Sequence, residues 1–307
     1  MPLVTSKQLL LTALENRFAV GAFNANNMEQ IQAIIETAEE ERAPVILQAS
    51  QGAIRYAGLE LVSAMVKTVA NIATVPVVLH LDHGPDFQQN LQCLRAGFTS
   101  LMFDGSKRTF EENVAITKKI VEIAHIVGIP VEAELGRVGQ STECLTEEQV
   151  CALMTNPAQA KEFVERTGID SLAIACGSVH AMKVAEAELD IPRIKAIHEQ
   201  VPNTPLVLHG SSGVTADSMV AGIEQGLCKI NVATYLNQAF VRGISDGFAK
   251  HPDEVDPRKF LSIGRDYVKE AVREKIRLFK SAGVIDASGG FCSPARQFRS
   301  AELGATE

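Results

Sequence analysis

The chain has no apolar run near the roughly 18 residues that a membrane-crossing helix needs, although 46% of its 307 residues are hydrophobic. That absence predicts a soluble protein with no membrane partner. The opening MPLVTSKQLL lacks a basic segment leading into a long apolar stretch, so no secretory leader is expected. Cys93, Cys144, Cys151, Cys176, Cys228 and Cys292 show no paired spacing, and a chain with this much core needs no staples, so a reducing, cytoplasmic setting is expected. Basic residues are in deficit. Lys and Arg number 29 against 37 Asp and Glu, and the resulting net charge of −8 opposes nonspecific attraction to nucleic acid. No linker-like, repeated or low-complexity stretch divides the chain, so residues 1–307 are expected to form one domain around a single core.

What is present is a recurrence. Eight apolar, β-branched runs alternate with helical stretches: FAVGAFN, PVILQAS, PVVLHLDH, TSLMFD, PVEAE, SLAIACG, PLVLHG and CKINVAT. They close at or next to Asn24, Ser50, His83, Asp104, Glu134, Gly177, His209 and Thr234. This pattern predicts an α/β fold, a (β/α)8 TIM barrel with extra N- and C-terminal helices, whose strand ends converge on one rim. Thr5 is placed to cap an opening helix. Asn156, Pro157 and Gly168 read as the cap, first turn and stop of another helix, and Thr215 and Gly226 bracket a third. Two connections are long: GRVGQSTECLTEEQV after Glu134, which reads as a mobile loop over the rim, and AMKVAEAELD after His180. A long helix is expected from Asp256 onward, with apolar residues to spare for packing on the barrel or on a neighbouring subunit.

His83, His180 and His209 fall at or just past three different strand ends. One such histidine is readily explained as core packing; three on one rim point to a three-imidazole zinc site with an open coordination position. Asp82 precedes His83 and stands either as a general base over the metal or as a helix cap. Asp104 and Glu134 suit a second metal position or hydrogen bonds to a ligand histidine, and Asp104 also suits a loop cap before Gly105 and Ser106. HGSSG at 209–213 and NVAT at 231–234 follow the last two runs. Barrels often cradle phosphate there, and Gly210, Gly213, Ser212 and Thr234 would supply backbone access and donors; the competing reading is a plain turn. Lys229 is either a Schiff-base nucleophile or, being early in its strand, one half of a buried salt bridge.

HLDHG at 80–84, MFDGS at 102–106, VEAELG at 131–136, the HGSSG turn, KINVAT at 229–234 and DPRKF at 256–260 together resemble the class II, zinc-dependent fructose-bisphosphate and tagatose-bisphosphate aldolases, over essentially the whole chain. The resemblance implies zinc on His83, His180 and His209, a second divalent ion near Asp104 and Glu134, and a monovalent cation close to the substrate phosphate. It makes Asp82 the acid/base at the C4 hydroxyl. Gly210, Ser212, Asn231 and Thr234 become contacts to the dihydroxyacetone-phosphate half, with Ala181 beside them. Ser50 and Arg258 grip the far phosphate, the arginine from a second subunit, which implies a homodimer or homotetramer.

Some positions depart from the family pattern. Ala181 replaces a glycine, Ala233 stands where an Asp or Asn is common, Tyr235 where an acid is common, and Ser211 takes a small-residue slot. The loop glutamate expected at position 142 is Thr142, with Glu143 next to it as the substitute. The expected activity is reversible cleavage of a ketose 1,6-bisphosphate, fructose 1,6-bisphosphate first, to dihydroxyacetone phosphate and glyceraldehyde 3-phosphate. A tagatose-bisphosphate or other ketose-phosphate aldolase, a non-catalytic sugar-phosphate-binding paralogue and a metal-dependent hydrolase are the alternatives.

Overall fold

The computed structural model describes residues 3–143 and 146–292. Its strands are β1 (Val20–Asn24), β2 (Val45–Ser50), β3 (Val77–Asp82), β4 (Leu101–Phe103), β5 (Val131–Leu135), β6 (Gly139–Gln140), β7 (Ser171–Ile174), β8 (Val179–His180), β9 (Leu206–Leu208) and β10 (Leu227–Val232). Its helices are α1 (Ser6–Asn16), α2 (Met28–Glu40), α3 (Gln51–Ala57), α4 (Leu59–Ile72), α5 (Phe87–Arg95), α6 (Phe110–Ile126), α7 (Glu147–Leu153), α8 (Pro157–Thr167), α9 (Ile191–Gln200), α10 (Ala216–Glu224), α11 (Thr234–Lys250) and α12 (Pro257–Leu278).

Eight parallel strands run in the order β3-β2-β1-β10-β9-β7-β5-β4. The two ends of that sheet meet through a parallel bridge between His80 and Ser100 and through Leu81 N–H donating to the Ser100 carbonyl at 3.1 Å, which makes the sheet a barrel. The strands are buried at nearly every position, as expected where helices cover one face and strand side chains fill the other. Side chains alternate along a strand, so residues two apart share a face. Gln48 and Ser50, His80 and Asp82, Glu132 and Glu134, and Lys229 and Asn231 are such pairs, so a polar layer lies directly below the rim residues.

The capping signals hold at α8 and α10. Asn156 accepts from the amides of Ala158 and Gln159, Pro157 opens α8, and Gly168 closes it in the left-handed region at φ 72°. Thr215 caps α10 by accepting from the Ser218 amide. Thr5 occupies the cap position of α1 without a side-chain bond. The helix from Asp256 forms as α12, capped by Asp256 on the Arg258 amide. It packs on α11, where Gly243 and Gly264 allow the two backbones to approach, and it is pinned to α2 by Lys269–Glu40 and Arg277–Glu41 pairs, both at 2.7 Å.

Two local expectations need correction. His180 is not at the end of a barrel strand: β7 stops at Ile174, and His180 sits in β8, which pairs with β6 as a two-stranded parallel ribbon above the rim. The long loop after Glu134 is accordingly part strand, since β6 belongs to it. Cys93, Cys151, Cys176, Cys228 and Cys292 are free thiols, and Cys144 lies outside the described residues. Among the described residues no helix is long and apolar enough to cross a membrane.

Candidate active site

The three histidines meet. His83 follows β3 directly and takes a left-handed backbone at φ 50°, His209 follows β9, and His180 comes from the ribbon. Ring centroids are 4.6 Å apart for His83–His209, 5.1 Å for His83–His180 and 6.1 Å for His180–His209. One ring nitrogen from each lies within 4.8 Å of the others. Two nitrogens bound to one tetrahedral zinc at about 2.0–2.1 Å stand roughly 3.3 Å apart, and His83 Nε2 is 3.1 Å from His209 Nδ1. The spacing therefore suits a shared ion.

The opposite nitrogen of each of these two rings faces a carboxylate. His83 Nδ1 is 2.9 Å from Asp104 Oδ2, and His209 Nε2 is 3.0 Å from Glu132 Oε1, so the carboxylates aim the remaining nitrogens at one point. Asp104 Oδ1 accepts from the amide and hydroxyl of Ser106, which keeps it in place. Glu134 Oε2 is buried without a hydrogen-bond partner, 3.5 Å from His209 Nδ1 and 3.8 Å from His83 Nδ1. An orphaned carboxylate oxygen beside imidazole nitrogens marks a place where a cation lowers the energy. His83, Asp104 and Glu134 also bring ligand atoms within 4.8 Å of one another, a second such group.

Protonation tells the same story. Burial opposes a charge on His83, but Asp82, the hydrogen bond to Asp104 and the nearby Glu134 outweigh it and raise its pKa to about 10. Burial, assisted by the charge on His83, lowers His180 to about 4, and burial holds His209 well below the ordinary histidine value. Burial pushes Glu134 up to about 8, with Asp104 adding to the rise. Asp104 lies well below the usual carboxylate range because its bonds to His83 and Ser106 overcome the effect of burial. The carboxylates thus favour positive charge between His83 and His209: a proton in the metal-free chain, or a divalent cation in its place. Neutral His180 and His209 are the form in which imidazole ligates metal.

Two adjoining cavities open on His83 and His180, while His209 is fully buried. One, of about 390 Å³, is lined by His83, Asp104, Lys107, Arg137, Glu143 and His180 among others; the second, of about 240 Å³, includes Ser50, Asp82, Gly210, Ser212, Asn231 and Thr234. Both include Ala181, a non-glycine residue at φ 60°. Asp82 Oδ1 accepts from Asn231 Nδ2 at 3.0 Å and lies 3.9 Å from His83 Nε2. Glu143 enters from the loop, its carboxylate accepting from Arg137 Nη1 at 2.8 Å and from the Gln140 amide at 3.0 Å.

Gly210 is in the left-handed region at φ 66°, where an added Cβ would strike the Val179 backbone at 2.8 Å. Its turn leads into α10; α11 follows β10, and its cap residue Ala233 makes no side-chain bond, so the first amides of that helix depend on other partners. Ser212 Oγ accepts from one of them, the Tyr235 amide. The Tyr235 hydroxyl instead donates to Glu274 on α12. Ser50 lines the cavity while capping α3 through the Ala53 amide.

Arg258 is the one proposed site residue that this chain does not bring to the rim. It starts α12 with its side chain 88% exposed and paired to Asp256. Sequence reasoning missed Glu132, His80 and Gln48 and gave Asn24 only as the end of the first run; all four are buried in or beside the layer below the rim. The signal was there: each of the first three precedes a rim residue by two positions on its strand, so alternation turns both inward.

Comparison with known proteins agrees with this geometry. The profile of the family described as fructose-bisphosphate aldolase class-II matches residues 4–284. The chain is 45% identical over 287 residues to the fructose-bisphosphate aldolase of Geobacillus stearothermophilus, covering 92% of this chain and 99% of the relative. It is 43% identical over 304 residues to that of Thermus caldophilus, with the same coverage. Among solved structures, the YdjI aldolase from Escherichia coli K12 superposes with a TM-score of 0.80 at 36% identity, covering 92% of this chain and 98% of that one. With a match that begins ahead of α1 and ends beyond α12, this chain belongs to the class II fructose-bisphosphate aldolase family.

Proposed function

We propose that this chain is a zinc-dependent aldolase that reversibly cleaves fructose 1,6-bisphosphate into dihydroxyacetone phosphate and glyceraldehyde 3-phosphate, as one cytoplasmic catalytic domain spanning residues 1–307. The observation that carries the reading is the convergence of His83, His180 and His209 on one point, with His83 and His180 lining two adjoining cavities. His83, His180 and His209 would hold the ion. A zinc ion bound there supplies Lewis-acid polarisation of the substrate ketone. Asp104 and Glu134 fix the field around it and offer a second divalent position.

The chain's own groups do the rest. Asp82, held by Asn231, takes the C4 hydroxyl proton as the C3–C4 bond breaks. Glu143 exchanges the proton at C3 once the loop carries it away from Arg137. The phosphate nearer the ketone sits against Gly210, Ser212 and Thr234, where the open N-terminus of α11 favours an anion, with Ala181 and a monovalent cation alongside. Ser50 holds the far phosphate together with Arg258 of a second copy, which makes the working form a homodimer or homotetramer. Anchoring both phosphates converts binding energy into alignment of the scissile bond. Lys229 is not a Schiff-base nucleophile in this reading, because it is fully buried and paired with Glu132.

The test is a coupled assay for C–C cleavage of fructose and tagatose 1,6-bisphosphates with and without a chelator. Cleavage of the fructose ester that is lost to the chelator and restored by zinc is expected. Full activity in the chelator, with inactivation by borohydride in the presence of dihydroxyacetone phosphate, would contradict it.

A further inference from the structure

Below the rim, Glu132 is enclosed at the centre of the barrel. Oε1 takes His209 Nε2 at 3.0 Å and Lys229 Nζ at 3.1 Å, and Oε2 takes Lys229 Nζ at 3.0 Å. All three side chains are within 1% of complete burial. The chain places them from three different strands: Glu132 on β5, Lys229 on β10, and His209 just past β9. His80, also buried, brings Nε2 to 3.8 Å from Glu132 Oε2, while its Nδ1 is 2.8 Å from Ser100 Oγ, which in turn meets Ser6 Oγ of α1.

We propose that Glu132 and Lys229 are positioning residues for the metal centre: Glu132 accepts the Nε2 proton of His209 and so commits Nδ1 to the ion, and Lys229, contacting both carboxylate oxygens, holds Glu132 against that ring. The inference rests on the metal-dependent reading above. An imidazole has two tautomers, and the one that ligates through Nδ1 must carry its proton on Nε2. At the rim, Nδ1 of His209 faces both a ring nitrogen of His83 at 3.1 Å and the acceptor Glu134 Oε2 at 3.5 Å, which pull the choice in different directions. Glu132 is the acceptor at Nε2. An acceptor-only carboxylate makes the choice unambiguous, where a hydroxyl or amide offers both donor and acceptor. Lys229, contacting both oxygens, fixes the carboxylate in the orientation that meets His209. Nothing else about the barrel demands the pair, because a buried ion pair is commonly replaceable by apolar residues of like volume without loss of stability.

Two measurements decide it. In metal-free wild-type protein, nitrogen-15 correlation spectra should show His209 protonated at Nε2 and not at Nδ1; an Nδ1–H form would overturn the proposal. The second compares zinc affinity, by chelator competition, in wild type, Lys229→Met and the double variant Glu132→Leu/Lys229→Met. The double variant should regain the thermal stability lost in Lys229→Met and still bind zinc about 10- to 100-fold more weakly than wild type. A double variant with wild-type zinc affinity would reduce the pair to a structural role and overturn the inference while leaving the aldolase reading intact. A wild-type chain that takes up no metal would overturn both.

Discussion

His83 Nε2 and His209 Nδ1 lie 3.1 Å apart across 126 positions of sequence. Each ring is turned by a carboxylate on its far side, Asp104 for His83 and Glu132 for His209, so the approach is set from behind by the barrel. Charge balance explains why: Asp82, Asp104 and Glu134 gather around His83, and a cation shared by the two rings offsets their mutual repulsion.

Asp82→Asn should retain zinc and KM while kcat falls by about 10²- to 10⁴-fold, the range for loss of a general acid/base group. Steady-state kinetics with metal analysis of the same sample check it. An unchanged kcat would remove Asp82 from proton transfer.

Asp104→Ala should weaken zinc binding by about 10- to 100-fold, because His83 loses the acceptor that fixes its orientation. Chelator competition reads this directly. Wild-type affinity would show that the ring is held by packing alone.

How much of this was readable from residue order varies by element. His83, His209, Asp104 and Glu134 end apolar runs, and a run that stops on a chemically competent residue is visible without coordinates. His180 was found as a residue and misplaced as an element, because the two-residue strands Gly139–Gln140 and Val179–His180 are too short to carry any periodicity. Glu132 and His80 were overlooked for the opposite reason. They sit inside strands that read as apolar, and their partners Lys229 and Ser100 come from strands distant in sequence. Arg258 stands exposed at the start of α12, so the site role proposed for it requires a neighbouring copy, which the folding of one chain does not determine.

Arg137→Met should shift the acid limb of kcat/KM to higher pH. The Gln140 amide first, and Arg137 second, hold the Glu143 carboxyl below its ordinary value. A base works above its own pKa, so losing the arginine raises that pKa and moves the onset of activity upward. A pH profile unchanged in the variant would mean that Glu143 proton transfer does not limit the step.

Gly264→Val should destabilise the fold by about 1–3 kcal/mol. A Cβ at this position would lie 2.8 Å from the Phe240 ring, at the seam between α11 and α12. Denaturant unfolding measures the loss, and an unchanged midpoint would show that the seam repacks freely.

The most direct trial of the shared-ion claim is X-ray absorption at the zinc edge on the protein loaded with one equivalent, alongside the three single His→Ala variants. Three imidazole nitrogens at about 2.0–2.1 Å are predicted in the wild type, with one imidazole lost from the shell, or the ion lost altogether, in each of His83→Ala, His180→Ala and His209→Ala. A zinc shell with fewer than three imidazoles in the wild type, or one that survives all three substitutions unchanged, would contradict the account.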